Sequence, residues 1–199
     1  MLETPLRRMI RLGDIDYASN WRDMYQQDVS GFATYLLRHP NHISAFPLIL
    51  TSNMKIISGN RMVAAVRSND ASPQQLLSAY VVDSIAELTQ VLEHDPGAGP
   101  LAPGGTSLAV EEKLRLGMLI EEMEQPHTDM RRWKARSKGG KVSTTRDRDT
   151  ATFPTVPRTK STSASIRDSV GKIVGMAGPT YQRGRDVLRA GTMKNPTEQ

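Results

Sequence analysis

The first half of the chain alternates short β-rich runs with stretches that suit helices. "VSGFATYLLRHP" predicts a helix from about Val29 to Leu37, stopped at His39-Pro40 because the residue before proline disfavours the helical region. "AFPLILTSNMKIISG" reads as two short strands, Leu48 to Leu50 and Lys55 to Ile57, flanking a turn at Ser52 and Asn53. A short helix, "NRMVAAVRSN", follows Gly59, and "SAYVVD" gives a third strand from Ser78 to Asp83. "SIAELTQVLEHD" is a helix opened by Ser84, with Glu87 three residues on as in a capping box. Strands interleaved with helices predict one small mixed module over about residues 6–95.

The pattern then changes. "DPGAGPLAPGGT", Asp95 to Thr106, is dominated by Pro and Gly and predicts a linker. "SLAVEEKLRLGMLIEEMEQ" predicts an amphipathic bridging helix from Ser107, its N-cap, to Gln125, ended by Pro126. Residues 126–164 are rich in Arg, Lys, Ser and Thr with little apolar periodicity, which predicts a flexible basic connector. In "SIRDSVGKIVGMAGPTYQRGRDVLRAG" the residues Ile166, Val170, Ile173 and Val174 keep helical spacing after Ser165 as N-cap. That helix should end at Gly175. Gly178 and Pro179 then open a second helix to about Ala190, and the pair over 165–191 has the sequence form of a helix-turn-helix, leaving 192–199 as a tail.

Composition narrows the functional classes. The 199 residues include 38% apolar positions, enough for a core, but no cysteine, which excludes disulfides, thiolate metal sites and a thiol nucleophile. The start "MLETPLRRMIRL" lacks the apolar run of a signal peptide and no segment is long enough to span a membrane, so a cytoplasmic protein without membrane association is expected. Charge is unevenly placed. Residues 1–125 carry 10 Lys and Arg against 15 Asp and Glu, net −5, whereas residues 126–199 carry 16 against 6, net +10. A basic second half is suited to a polyanion.

Helical periodicity assigns Tyr181, Gly184 and Leu188 to one face of the last helix, suited to packing on Ile166, Val170 and Val174. Gln182, Arg185 and Arg189 fall on another face, where Arg can donate to guanine and Gln can pair with adenine in a major groove. Thr180 at the helix start and Arg183 beside that face suit phosphates, and Tyr181 is carried with them as a DNA-contact candidate. The connector adds Arg131, Arg132 and Lys134 as further phosphate contacts. Enzyme signatures fail. "SKGGKVST" has Val142 where a phosphate loop needs Ser or Thr and Ala135 where it needs Gly. His39 with His42, and Glu124 with His127, sit around prolines, so no metal site is expected, and no nucleophile-base-acid set can be picked out.

The order "IRLGDI", "NWR", a helix, "PLIL", "KIISGNRMVAAV", "AYVVD" and a helix resembles the N-terminal domain of ParB-like partition proteins, the ParB/sulfiredoxin fold. "IRDSVGKIVGMAGPTYQRGRDVL" is similar to the helix-turn-helix that accompanies it in that superfamily. The resemblance implies an α+β fold, a small mixed domain followed by an all-α DNA-binding region. It also implies that Gly59, Asn60 and Arg61 hold nucleotide phosphates, CTP being the cofactor, at a helix N-terminus. The sequence departs from the CTP-hydrolysing pattern: Asn60 replaces an acid, Met62 replaces a second arginine, and "LEHDPG" supplies Glu93 but no later arginine. Sulfiredoxin chemistry is excluded because Asn60 stands where it needs cysteine.

The leading expectation is therefore a non-catalytic protein that binds double-stranded DNA, in partition of a plasmid or phage genome or in gene regulation. A nucleotide hydrolase or nuclease centred on Arg61, with Glu93 or Asp83, is the enzymatic alternative. A third reading has the acidic front half docking a partition ATPase. One reading helix per chain argues for a homodimer on paired half-sites.

Overall fold

The computed structural model describes residues 6–18, 26–100, 108–138 and 162–193. The "NWR" segment, the Ser107 cap, residues 101–106 of the Pro/Gly linker and residues 139–161 of the basic connector lie outside them. Four strands form one sheet: β1 (Arg7–Arg11), β2 (Leu48–Thr51), β3 (Ile56–Ser58) and β4 (Leu76–Val82), in the order β1-β4-β2-β3. β2 and β4 are parallel, while β1 pairs antiparallel with β4 and β3 antiparallel with β2. The expected hairpin at residues 51–55 is the β2–β3 turn, closed by Thr51 and Lys55. β2 is buried along its whole length because helices cover both sides of it.

One sheet face carries Leu48, Leu50, Ile56, Leu77 and Ala79 against α1 (Gln26–Arg38) and α3 (Asn60–Ser68). The other carries Ile49, Ile57, Tyr80 and Val82 against α4 (Ile85–His94) and α5 (Val110–Lys138). After α1, a single turn α2 (His42–Ala45) leads into β2. Beyond α5 come α6 (Thr162–Ile173) and α7 (Gly178–Met193), whose Val170, Val174 and Tyr181 join the same cluster as Tyr80 and Val82. The architecture is α+β, a mixed four-stranded sheet with helices followed by C-terminal helices.

At the helix ends the local expectations hold in part. Ser84 Oγ accepts from the Glu87 N–H, and the Glu87 carboxylate reaches back to the Asp83 N–H, one residue earlier than a capping box would place it. α6 closes with Gly175 in the left-handed region (φ 68°), its N–H on Lys172 O and the Met176 N–H on Gly171 O. Those two bonds make a Schellman ending, and glycine is the residue that adopts it without strain. α6 begins at Thr162, so Ser165 lies inside the helix instead of capping it.

The end of α5 differs from expectation. Pro126 was expected to terminate it, yet the helix runs through to Lys138, so the first part of the expected flexible connector is helical. An interior proline removes one ladder bond and costs about 3 kcal/mol. Packing on both sides offsets this. Met123, Glu124 and Thr128 are buried, the Thr128 hydroxyl donates to Glu124 O, and Lys55 holds Glu122 at 2.7 Å. Among the described residues no helix is long and apolar enough to cross a membrane.

Candidate nucleic-acid interface

α6 and α7 are joined by a four-residue turn, residues 174–177, whose glycine sets the chain reversal. The inner side of α7 does pack as its spacing predicted, but onto α5 as well as α6. A side chain at Gly117 of α5 would collide with the Tyr181 ring, and one at Gly184 would meet Leu114. Glycine at 117 thus lets the tyrosine lie flat against the helix.

Tyr181 is fully buried, which corrects its place among the DNA-contact candidates. Its hydroxyl has no hydrogen-bond partner among the described residues. Burial, and then the negative charge of Glu121, push its pKa above the ordinary value.

The expected reading side chains are engaged elsewhere. Arg185 Nη1 donates to both Glu121 oxygens at 2.8 and 2.9 Å, and its Nη2 reaches Asp186 at 3.0 Å. The two side chains of that ion pair are only 18% and 15% exposed. Burial lowers the Arg185 pKa, but the bonds to Glu121 and Asp186 outweigh it and leave a net rise. Arg189 lies 3.6 Å from the same carboxylate, half exposed. Gln182 accepts a bond from Arg167 Nη1 at 3.2 Å. Helical geometry explains this arrangement. Arg185 follows Tyr181 by four residues, about 40° round the helix, so it lies on the inward side, whereas Arg183 follows by two, about 200°, and points out.

The outward side of α7 therefore holds Thr180, Arg183 and Val187, all exposed, Val187 at 71%. Arg131, Arg132 and Lys134 lie on the C-terminal turns of α5, where Trp133 is 67% exposed and Met130 is also exposed. Of those three basic residues only the backbone is described. Val187 and Trp133 are exposed apolar side chains beside the candidate interface that charge-based reasoning does not single out. The signal for Trp133 was an aromatic inside "RRWKAR".

The Gly59 turn forms as expected, with Gly59 left-handed (φ 98°) as N-cap of α3 and no side chain capping that end. A side chain at 59 would collide with Leu48, so the strand-to-helix turn needs glycine on both counts. Asn60 is buried, its Oδ1 without a hydrogen-bond partner among the described residues, and the Arg61 guanidinium lies 5.0 Å over the Phe32 ring. Of the enzymatic candidates, Asp83 lies 3.5 Å from His127 at the end of β4, whereas Glu93 lies exposed near the end of α4. Among the described residues no three His, Asp or Glu side chains gather as a metal site would require. No protein-family model matches the chain, and no curated protein matches it.

Proposed function

We propose that the chain is a non-catalytic, ParB-like protein that binds double-stranded DNA through α6 and α7 as a helix-turn-helix, in genome partition or gene regulation. The observation that carries this reading is the glycine-closed four-residue turn between α6 and α7, with the outward side of α7 left to solvent while its inner side is locked on α5. Order along the chain supports the family assignment: a mixed sheet with a Gly-Asn-Arg strand-to-helix turn, followed by helices. Arg183 takes the base-reading role first assigned to Arg185, and Thr180 at the helix start serves phosphate. A homodimer and a partition ATPase on the acidic half belong to the same proposal.

Deleting α6 and α7 is a poor test, because Val170, Val174 and Tyr181 would leave the shared core. Point substitution is cleaner. In a gel shift on DNA surrounding its own gene, at two salt concentrations, Arg183→Ala should weaken specific binding about 5- to 150-fold with an unchanged melting temperature. Unchanged affinity for that duplex would remove α7 from the interface.

A second reading, nucleotide phosphate binding at the Gly59 turn, is favoured by one observation. The N-terminal N–H groups of α3 lack a side-chain cap, and Arg61 stands at that end. CTP is the nucleotide to try first.

A further inference from the structure

On the opposite side of the sheet from α5 to α7, α1 and α2 carry a continuous strip of flat side chains. Phe32 and Tyr35 stack at 6.0 Å between ring centres, and Tyr35 meets His39 at 4.7 Å and His42 at 5.5 Å. His39 and His42 stack at 5.3 Å, and Phe46 abuts His42 edge-on at 6.3 Å. The Tyr35 hydroxyl is hydrogen-bonded to His42 Nδ1, which fixes the two rings relative to each other. Helical spacing explains the row on α1, since Phe32, Tyr35 and His39 are three and four residues apart.

Only the inner end of the strip contributes to the core, where Phe32 packs against the α1–α3 cluster. Tyr35 is 37% exposed, Phe46 is 49% exposed, and both histidines are exposed. The rings' buried sides contribute to packing, but Tyr35, His39, His42 and Phe46 each leave ring surface open to solvent, where a partner can stack.

From Gln26 to Asp70 the chain has four basic residues, Arg38, Lys55, Arg61 and Arg67, against two acidic ones, Asp28 and Asp70, inside a half of the molecule that is net −5. Lys55 is engaged with Glu122. Of the others, Arg61 lies 5.0 Å over the Phe32 ring and Arg38 is exposed at the end of α1, whereas Arg67 lies over Tyr17, outside the strip. Stacking surface with a net basic surround fits a ligand with flat faces and a polyanionic backbone.

We propose that the α1–α2 strip binds single-stranded nucleic acid, with bases on Tyr35, His39, His42 and Phe46 and phosphates drawn to Arg38 and Arg61. A duplex keeps its base faces stacked inside, so this surface discriminates against it. The site is independent of the α7 reading, because it lies on the other sheet face and uses none of the same residues.

The test is fluorescence anisotropy of the full chain with a labelled oligo-dT of about 15 nucleotides, with oligo-U, the matching duplex and polyglutamate as competitors. Tyr35→Ala and Phe46→Ala should each weaken oligo-dT binding about 5-fold or more, while Tyr35→Phe, which keeps the ring, should bind as wild type. Arg183→Ala should leave this binding unchanged, so that failure of the α7 reading and failure of this one are told apart. Equal competition by oligo-U supports the site and makes it indifferent to the sugar. Absence of oligo-dT binding, insensitivity to both alanine variants, or equal competition by duplex or by polyglutamate would each overturn the proposal, the last in favour of an acidic protein partner.

Discussion

Arg185→Ala separates two roles for this residue, base reader or anchor of α7. Its guanidinium makes two bonds to Glu121, at 2.8 and 2.9 Å, in a pair whose side chains are 18% and 15% exposed. Removing one member of a well-buried ion pair costs about 3–5 kcal/mol, chiefly because the other charge is stranded. Here Arg189 stays 3.6 Å from Glu121 and the site keeps some solvent, so a loss of about 2 kcal/mol is expected. For a chain of this size that corresponds to a fall in melting temperature of about 4–8 °C. Calorimetry or circular dichroism measures it. Glu121→Gln in the same background should recover part of the loss, since no buried carboxylate is then left unpaired. Duplex affinity, measured well below the melting transition, should change by less than about threefold. An Arg185→Ala protein that melts at the wild-type temperature yet no longer binds duplex would refute the anchoring argument and restore Arg185 as a reader.

Two further outcomes follow from single groups. Burial and the Glu121 charge hold the Tyr181 phenol above its ordinary pKa of 10.0, so its contribution is present below pH 10 and lost as pH rises beyond that value. Thermal stability should therefore fall more steeply above pH 10 in wild type than in Tyr181→Phe, and equal slopes would show that the phenol ionises as freely as in water. At the Gly59 turn, calorimetric titration with CTP should give binding that Arg61→Ala weakens about tenfold or more. No binding by the wild type, or identical binding by the variant, removes the phosphate reading.

The strands and helices were legible wherever local pattern and burial coincide. "LILT" is buried along its length and reads as a strand in any window. "RRMIR" does not, because β1 is an edge strand with four of its five residues exposed, and what makes it a strand is its pairing with β4, some seventy residues away. The continuation of α5 through Pro126 was hidden for a similar reason. Its support comes from Lys55 on the β2–β3 turn and from Ile85, whose N–H bonds to the buried Glu124 carboxylate. In α7 the information was present but divided by the wrong face. Four residues from a buried tyrosine is a buried-side position for Arg185, and that arithmetic needed only Tyr181 as its reference. Its partner Glu121, sixty-four positions earlier, had no local signature.

The charge count along the chain also changes meaning once these contacts are placed. The acidic run Glu121, Glu122 and Glu124 appeared as surplus negative charge on a bridging helix. Each of the three is committed to a different element: Glu121 to Arg185 of α7, Glu122 to Lys55 of the β2–β3 turn, and Glu124 to the N-terminus of α4. α5 is thus the piece to which the sheet module and the C-terminal helices are both fastened, by carboxylates on its rim and by Leu114, Leu116 and Ile120 in its core. Arg185, counted in the basic half, is neutralised within the fold and adds little to the attraction for a polyanion. In the proposed duplex-binding reading, what remains for phosphate is Arg183, exposed on α7, together with the basic residues of the sequence from Arg131 onward. The salt dependence of duplex binding should accordingly respond to those residues and not to Arg185.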